Sequence, residues 1–119
     1  PGCHPGPAPL SEPEPAALAA IVDAWQPTAV VAVHAPFACV NHDGPARSWA
    51  ERIAAGCGWP ARGDIGYPTP GSLGTWLGVD RGLPVITLEL PAGPYRAFAD
   101  SASAALRVAI EEAPAPGSV

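Results

Sequence analysis

Two ionisable side chains stand near the ends of apolar segments in this sequence. His34 ends the run T-A-V-V-A-V-H, and Glu89 lies within P-V-I-T-L-E-L-P. A carboxylate in an apolar strand is costly unless it is paired, bound to a metal or used in a reaction, so Glu89 is a candidate general base. For His34, the residues alone leave two interpretations open, a hydrogen-bonded structural residue and a metal ligand.

The segments that carry these side chains have the composition of buried strands. Residues 28–34 and 84–91 are short, rich in β-branched residues and apolar on both faces, which is typical of central strands in a parallel or mixed sheet. Such sheets bind ligands where their strands end. We therefore expect His34 and Glu89 to lie on neighbouring strands and to converge in one cleft.

Helical periodicity surrounds the two strands. An S-x-x-E pattern at Ser11 predicts a capping box and a first helix that stops at Gln26. This helix is expected to pack on the sheet through a stripe of Leu18, Ile21, Val22 and Trp25. Further helices are predicted over residues 46–57, 72–79 and 98–112, and a short strand over residues 65–67.

The breaker-rich segment 35–45 predicts a long exposed turn, on which His42 and Asp43 are solvated. The alternation of helices and strands predicts the α/β class, with a three-layer α/β/α arrangement around a parallel or mixed sheet. Residues 1–10 are expected to be a loop or linker and residues 114–119 a loose tail.

Composition excludes several classes of function. The 119 residues suffice for one domain, and a net charge of −5 with no basic stripe disfavours nucleic-acid binding. No apolar run approaches the ~20 residues of a membrane span, and no signal peptide is recognisable. A cytoplasmic protein is expected, with export as the alternative if a segment precedes Pro1. Cys3, Cys39 and Cys57 match no zinc-finger or redox spacing, so we expect reduced thiols.

Three segments in order resemble the zinc carboxypeptidase family, and within it the branch of bacterial murein peptide amidases: V-H-A-P-F-A-C-V, G-Y-P-T-P-G-S-L-G-T-W and I-T-L-E-L-P. The resemblance implies that residues 11–113 are the C-terminal half of a zinc carboxypeptidase-like domain. It implies that His34 is one ligand of a single Zn²⁺ ion and that Glu89 is the general base and acid. It further implies that Tyr67, followed nine residues later by Trp76, caps the substrate from a mobile loop.

The same resemblance implies a substrate-binding role for Gly74 and Thr75. Family members that cleave beside basic residues place an acid between this tyrosine and tryptophan, and the corresponding position here is Gly74. The resemblance thus implies that no buried negative charge awaits a cationic side chain. It remains compatible with a substrate that ends in zwitterionic diaminopimelate.

The departures from the family matter as much as the matches. The H-x-x-E pair that supplies two more zinc ligands is absent from the 119 residues, as are the family's oxyanion-stabilising arginine and carboxylate-binding asparagine–arginine pair. A missing N-terminal half is therefore expected as the partner of this chain.

The expected function is zinc-dependent hydrolysis of a small cell-wall peptide, with L-Ala-γ-D-Glu-diaminopimelate as the substrate. Two alternatives stay open. One is a deacylase similar to succinylglutamate desuccinylase and aspartoacylase, and the other is a non-catalytic fragment or binding module.

Overall fold

The computed structural model describes residues 6–115 and shows a mixed four-stranded sheet with helices on both faces. The strands are β1 (Val30–His34), β2 (Phe37–Asp43), β3 (Ala61–Arg62) and β4 (Val85–Pro91), in the order β1-β4-β2-β3. Strand β1 runs parallel to β4, and β3 runs parallel to β2, whereas β2 and β4 are antiparallel. The predicted α/β class with a mixed sheet is confirmed.

Three α-helices and two shorter helical segments connect and cover the strands. The α-helices are α1 (Pro13–Trp25), α2 (Arg47–Cys57) and α3 (Ala99–Glu111). A π-helical segment (Gly74–Val79) precedes β4, and a single 3₁₀ turn (Tyr95–Ala97) precedes α3. Among residues 6–115, no helix combines the length and the apolarity that crossing a bilayer requires.

One face of the sheet carries the larger core. Trp49 and Ile53 of α2 and Ala105 of α3 are buried against Val40 and Leu88 of the two inner strands. A large aromatic ring on α2 is matched by alanines on α3, which lets the two helices lie side by side on the sheet. The predicted periodicity of residues 46–57, ended by Gly58 in the left-handed conformation, is therefore confirmed.

The opposite face carries a smaller core, in which Val22 of α1 and Leu77 of the π-helical segment bury Val85. The Arg81 guanidinium joins these two elements, because it bonds Asp23 of α1 at 2.8 Å and lies 4.2 Å from the centre of the Trp76 ring. This face is covered over only part of its area. The exposed His34 side chain, described below, lies on this face.

The first helix corrects two predictions. The Ser11 hydroxyl donates to the neighbouring Glu12 side chain, so no capping box forms and α1 begins at Pro13. Of the predicted stripe only Val22 is buried, together with Ala19. The others are exposed, and Trp25 is 81% accessible. Periodicity predicts which residues share a face but does not show that a neighbouring element covers it.

The strands correct three more predictions. Segment 35–45 is not a long turn, because most of it is β2, an inner strand. The predicted strand 65–67 is loop, and β3 lies at Ala61–Arg62 instead. Strand β1 is apolar on both faces yet lies at one edge of the described sheet, with Val33 exposed. The predicted loop at residues 1–5, with Cys3 and His4, and the last four residues of the predicted tail lie outside the described residues.

Candidate active site

His34 and Glu89 meet at the ends of β1 and β4. The parallel register places them opposite one another, and their side chains project from the same face of the sheet. His34 Nδ1 lies 3.9 Å from Glu89 Oε1, which is longer than a hydrogen bond but close enough for the two groups to act on one substrate atom. The expected convergence of the two side chains is confirmed.

The two side chains differ sharply in exposure. The His34 imidazole is 62% accessible, whereas the Glu89 carboxylate is 5% accessible. Within residues 6–115, the buried Glu89 Oε2 has no hydrogen-bond partner. A buried carboxylate oxygen without a partner is costly in a purely structural residue, so this geometry favours a functional role for Glu89.

Cys39 is the neighbour of this pair on the third strand, so that His34, Glu89 and Cys39 lie side by side across β1, β4 and β2. It lies opposite Glu89 on β2 and is fully buried. Burial raises the pKa of the Cys39 thiol; the charge of Arg62 opposes this effect, and that of Glu89 adds to it. Cys39 and Cys57 are both free thiols, as expected. A protonated thiol beside Glu89 gives this wall of the cleft an apolar character.

Tyr67 lies on the loop between β3 and the π-helical segment, as the sequence predicts. The residue is 55% accessible, and its ring contacts that of Phe37 edge to face, with the ring centres 6.4 Å apart. Phe37 begins β2 opposite Pro91, at the same end of the sheet as His34 and Glu89. The Tyr67 side chain therefore stands at the rim of the cleft.

Gly74 and Thr75 have different surroundings. The Thr75 hydroxyl donates to the Thr69 carbonyl at 2.9 Å, and the Thr75 N–H donates to Ser72 Oγ at 3.1 Å. These bonds hold the loop that follows Tyr67. Gly74 is buried, and a Cβ atom added there would lie 2.2 Å from Asp43 Oδ2.

The contact at Gly74 overturns the expectation that no negative charge stands in this region. The carboxylate comes from Asp43 on β2, not from the loop. Asp43 is half-buried, and burial raises the pKa of its carboxyl above the ordinary value, while the neighbouring His42 opposes the shift. His42 is also half-buried, and burial is the main cause that lowers the pKa of its imidazole. Neither side chain is the solvated turn residue that the sequence predicts.

Among the described residues, His34 has the position and exposure that fit the zinc ligand expected from the resemblance. His34 presents an exposed imidazole beside a buried carboxylate, which suits a residue that contributes one ligand at the edge of a metal site. Within residues 6–115, no three His, Cys, Asp or Glu side chains come together as a metal-binding group. A catalytic zinc site needs about three protein ligands, so further ligands would have to come from outside these residues.

Comparison with known proteins identifies relatives over part of their length. No family model matches the chain. The chain is 43% identical over 81 residues to murein peptide amidase A of Vibrio campbellii, covering 67% of this chain and 32% of that protein. It is 40% identical over 86 residues to the protein of the same name from Escherichia coli K12, covering 72% and 35%.

A solved structure shows the same relationship in three dimensions. The crystal structure of murein-tripeptide amidase MpaA from Escherichia coli O157 superposes with a TM-score of 0.71 at 32% identity, over 93% of this chain and 45% of that chain. The chain spans about a third of the length of the curated relatives it matches. The predicted resemblance to the murein peptide amidases is thus confirmed over a partial region.

Proposed function

We propose that this chain, which is similar to part of murein peptide amidase A, forms the Glu89 side of an active site that hydrolyses an amide bond in a small cell-wall peptide. The observation that carries the proposal is the pairing of His34 and Glu89 across β1 and β4. The similarity to proteins named murein peptide amidase A supports the choice of substrate class.

In the proposed mechanism, Glu89 moves the protons. Its carboxylate takes a proton from the water that attacks the scissile carbonyl and returns it to the nitrogen of the leaving amine. Because the group is buried and its Oε2 has no hydrogen-bond partner within residues 6–115, the proton has few competing acceptors nearby. Tyr67, on the exposed loop at the rim, covers the bound peptide and limits the access of bulk water.

His34 would hold the metal. Its exposed ring lies beside Glu89 and is free to contribute one ligand. Zinc, when bound at such a site, supplies a Lewis acid that polarises the substrate carbonyl. The remaining ligands would come from outside the described residues, so the active unit is expected to include more than residues 6–115.

The test is hydrolysis of L-Ala-γ-D-Glu-diaminopimelate by the protein translated from the complete coding sequence, with zinc content measured in parallel. Glu89→Gln should keep the zinc and lose activity by about 100-fold or more, because proton transfer is removed while His34 remains. His34→Ala should lose both zinc and activity. Glu51→Gln, on the exposed side of α2, is the matched control and should behave like the wild-type protein. Wild-type activity in Glu89→Gln would refute the proposal.

The same assay separates the two alternatives. A deacylase would cleave N-acyl amino acids such as N-succinylglutamate and leave the tripeptide intact. A non-catalytic module would bind the tripeptide without cleaving it, whether or not zinc is added. The exposed tyrosine at the rim favours a peptide substrate over a small N-acyl amino acid, because its ring provides cover for a longer ligand.

A further inference from the structure

Two aromatic side chains meet at the rim of the cleft, outside both cores. The rings of Phe37 and Tyr67 contact each other edge to face, with their centres 6.4 Å apart and their planes inclined at 60°. Both residues are exposed, Phe37 at 41% and Tyr67 at 55% of its surface. Neither belongs to either hydrophobic core of the described residues. Core packing therefore does not account for this contact.

Phe37 stands just beyond the proposed catalytic residue. It pairs with Pro91, two positions past Glu89 on β4, whereas Cys39 pairs with Glu89 itself. Alternate residues of a strand project from the same face, so Phe37 shares the face of Cys39 and Glu89. At ~3.3 Å per residue, Phe37 lies roughly 7 Å along the strand from the row that Glu89 and Cys39 form.

Tyr67 reaches both sides of this row. Its ring contacts Phe37 on one side, and on the other side Tyr67 lines a polar cavity together with Asn41. Asn41 pairs with Thr87, two positions before Glu89 on β4. Phe37 and Asn41 thus flank the row and are roughly 13 Å apart along β2, at ~3.3 Å per residue. A residue that borders both extends across the row, which is the position expected of a cover.

The backbone next to Phe37 is held in an uncommon conformation. Ala38 has a φ of 51°, in the left-handed region that residues other than glycine rarely adopt. Such a conformation persists where neighbouring contacts fix the chain. Here Cys39 on one side is fully buried, and Phe37 on the other side contacts Tyr67. The backbone therefore fixes the direction in which the Phe37 side chain leaves the strand.

We infer that Phe37 is a positioning residue, whose ring holds the Tyr67 loop across the cleft before the peptide binds. This role rests on the proposed function, which assigns to Tyr67 the cover over the bound peptide. Phe37 acts through Tyr67 and not by contact with the reacting atoms. Because the covering conformation is populated in advance, binding does not bear the cost of ordering the loop, and the apparent affinity for the peptide is higher.

The test is steady-state hydrolysis of L-Ala-γ-D-Glu-diaminopimelate by the complete protein with zinc. Phe37→Leu keeps an apolar side chain but removes the ring. It should raise KM about three- to tenfold, the range that an edge-to-face pair supplies, and change kcat by less than about twofold. Phe37→Tyr retains the ring, and its exposed position has room for a hydroxyl, so KM should stay within about twofold of the wild-type value.

A second aromatic pair provides the matched control. The rings of Tyr95 and Phe98 also meet edge to face, with their centres 5.5 Å apart. Phe98 immediately precedes α3, the helix that packs on the opposite face of the sheet from Glu89. Phe98→Leu removes the same kind of contact and should leave KM unchanged.

Substitution of Tyr67 shows whether Phe37 acts through it. In a Tyr67→Leu background, which has already lost the cover, Phe37→Leu should change KM by less than about twofold. Equal increases of KM in both backgrounds would mean that Phe37 contacts the peptide directly, and would overturn the inference. An unchanged or lower KM in Phe37→Leu alone would also overturn it, as would a Phe37→Tyr protein that behaves like Phe37→Leu.

A readout without turnover separates this role from the proposed function. A fluorine label on the Tyr67 ring should give an NMR resonance that the neighbouring Phe37 ring shifts from its position in the denatured protein. Phe37→Leu should return the resonance most of the way to that position, whereas Phe98→Leu should not. A protein that shows this Phe37-dependent shift but cleaves no peptide would refute the proposed function. A protein that cleaves the peptide without such a shift would leave the proposed function intact and remove only the role of Phe37.

Discussion

Gly74 and Gly78 lie one helical turn apart against Asp43, but substituting them should have different consequences. At Gly78, an added Cβ would lie 2.6 Å from the Asp43 Cβ and 2.8 Å from its carbonyl carbon. These atoms belong to a strand in the middle of the sheet, so the π-helical segment and β2 would have to separate by most of an ångström. At Gly74, the nearest atoms belong to the end of the Asp43 side chain, which lines a cavity of about 340 Å³ beside Asn41 and Tyr67 and can rotate into it.

The magnitudes follow from this difference. Overpacking against backbone costs about 1–3 kcal/mol, and replacing glycine with alanine in a helix returns up to ~1 kcal/mol. Gly78→Ala should therefore lower the free energy of unfolding by about 1–2 kcal/mol. For a domain of this size, each kcal/mol lowers Tm by roughly 4–8 °C. Gly74→Ala should change the free energy of unfolding by less than about 0.5 kcal/mol, because a side-chain rotation relieves the contact.

The assay is thermal and urea unfolding followed by circular dichroism, applied to both variants with and without Asp43→Ala. Removing the carboxylate should abolish the remaining cost of Gly74→Ala, whereas the cost of Gly78→Ala should persist because its contacts are to Cβ and backbone atoms that alanine retains. Equal destabilisation by the two glycine variants, or a stable Gly78→Ala protein, would show that the π-helical segment does not pack on β2 as described.

Three further predictions concern single side chains. Cys39 should resist alkylation in the native protein near pH 8 and react only after unfolding, because burial both shields its thiol and raises its pKa; mass spectrometry of labelled peptides tests this. As pH falls from neutral towards 3.8, the free energy of unfolding of the wild-type protein should increase relative to that of Asp43→Asn. The folded-state pKa of Asp43 is raised, so protonation stabilises the folded form, and unfolding titrations over this range would show the sign. Tyr67→Ala should change stability by less than ~0.5 kcal/mol, since the ring is exposed, but should raise KM for the peptide in steady-state kinetics.

The strands that carry the catalytic candidates were predictable because their sequences combine two signals. Each has a short apolar run with β-branched residues, and each has an ionisable residue late in that run. The parallel pairing of β1 with β4 follows the general behaviour of α/β sheets, so the meeting of His34 and Glu89 could be inferred. Helix α2 was predictable for a similar reason, because Trp49, Ile53 and Cys57 keep a helical period up to Gly58.

Strand β2 was missed because its composition is atypical. Asn41, His42 and Asp43 are uncommon in strands, and the flanking Pro36, Gly44 and Pro45 suggest a loop. One signal was nonetheless present. The seven residues between Pro36 and Gly44 contain neither glycine nor proline, which is the length of an ordinary strand. Tertiary context decided the outcome, since β4 pairs with β2 along its whole length and overrides the local propensity.

This error in secondary structure led directly to the error about charge. The chain neighbours of Gly74 are Leu73 and Thr75, neither of which is acidic, so the sequence predicts no negative charge there. The carboxylate that fills this position lies 31 positions earlier, and only the antiparallel pairing of β2 with β4 brings it there. A glycine is small enough to admit a side chain from another element, so its neighbours in the chain say little about the charge that surrounds it. In a site assembled from several strands, the absence of an acid from a loop therefore excludes a cationic substrate only after every strand facing that loop has been placed.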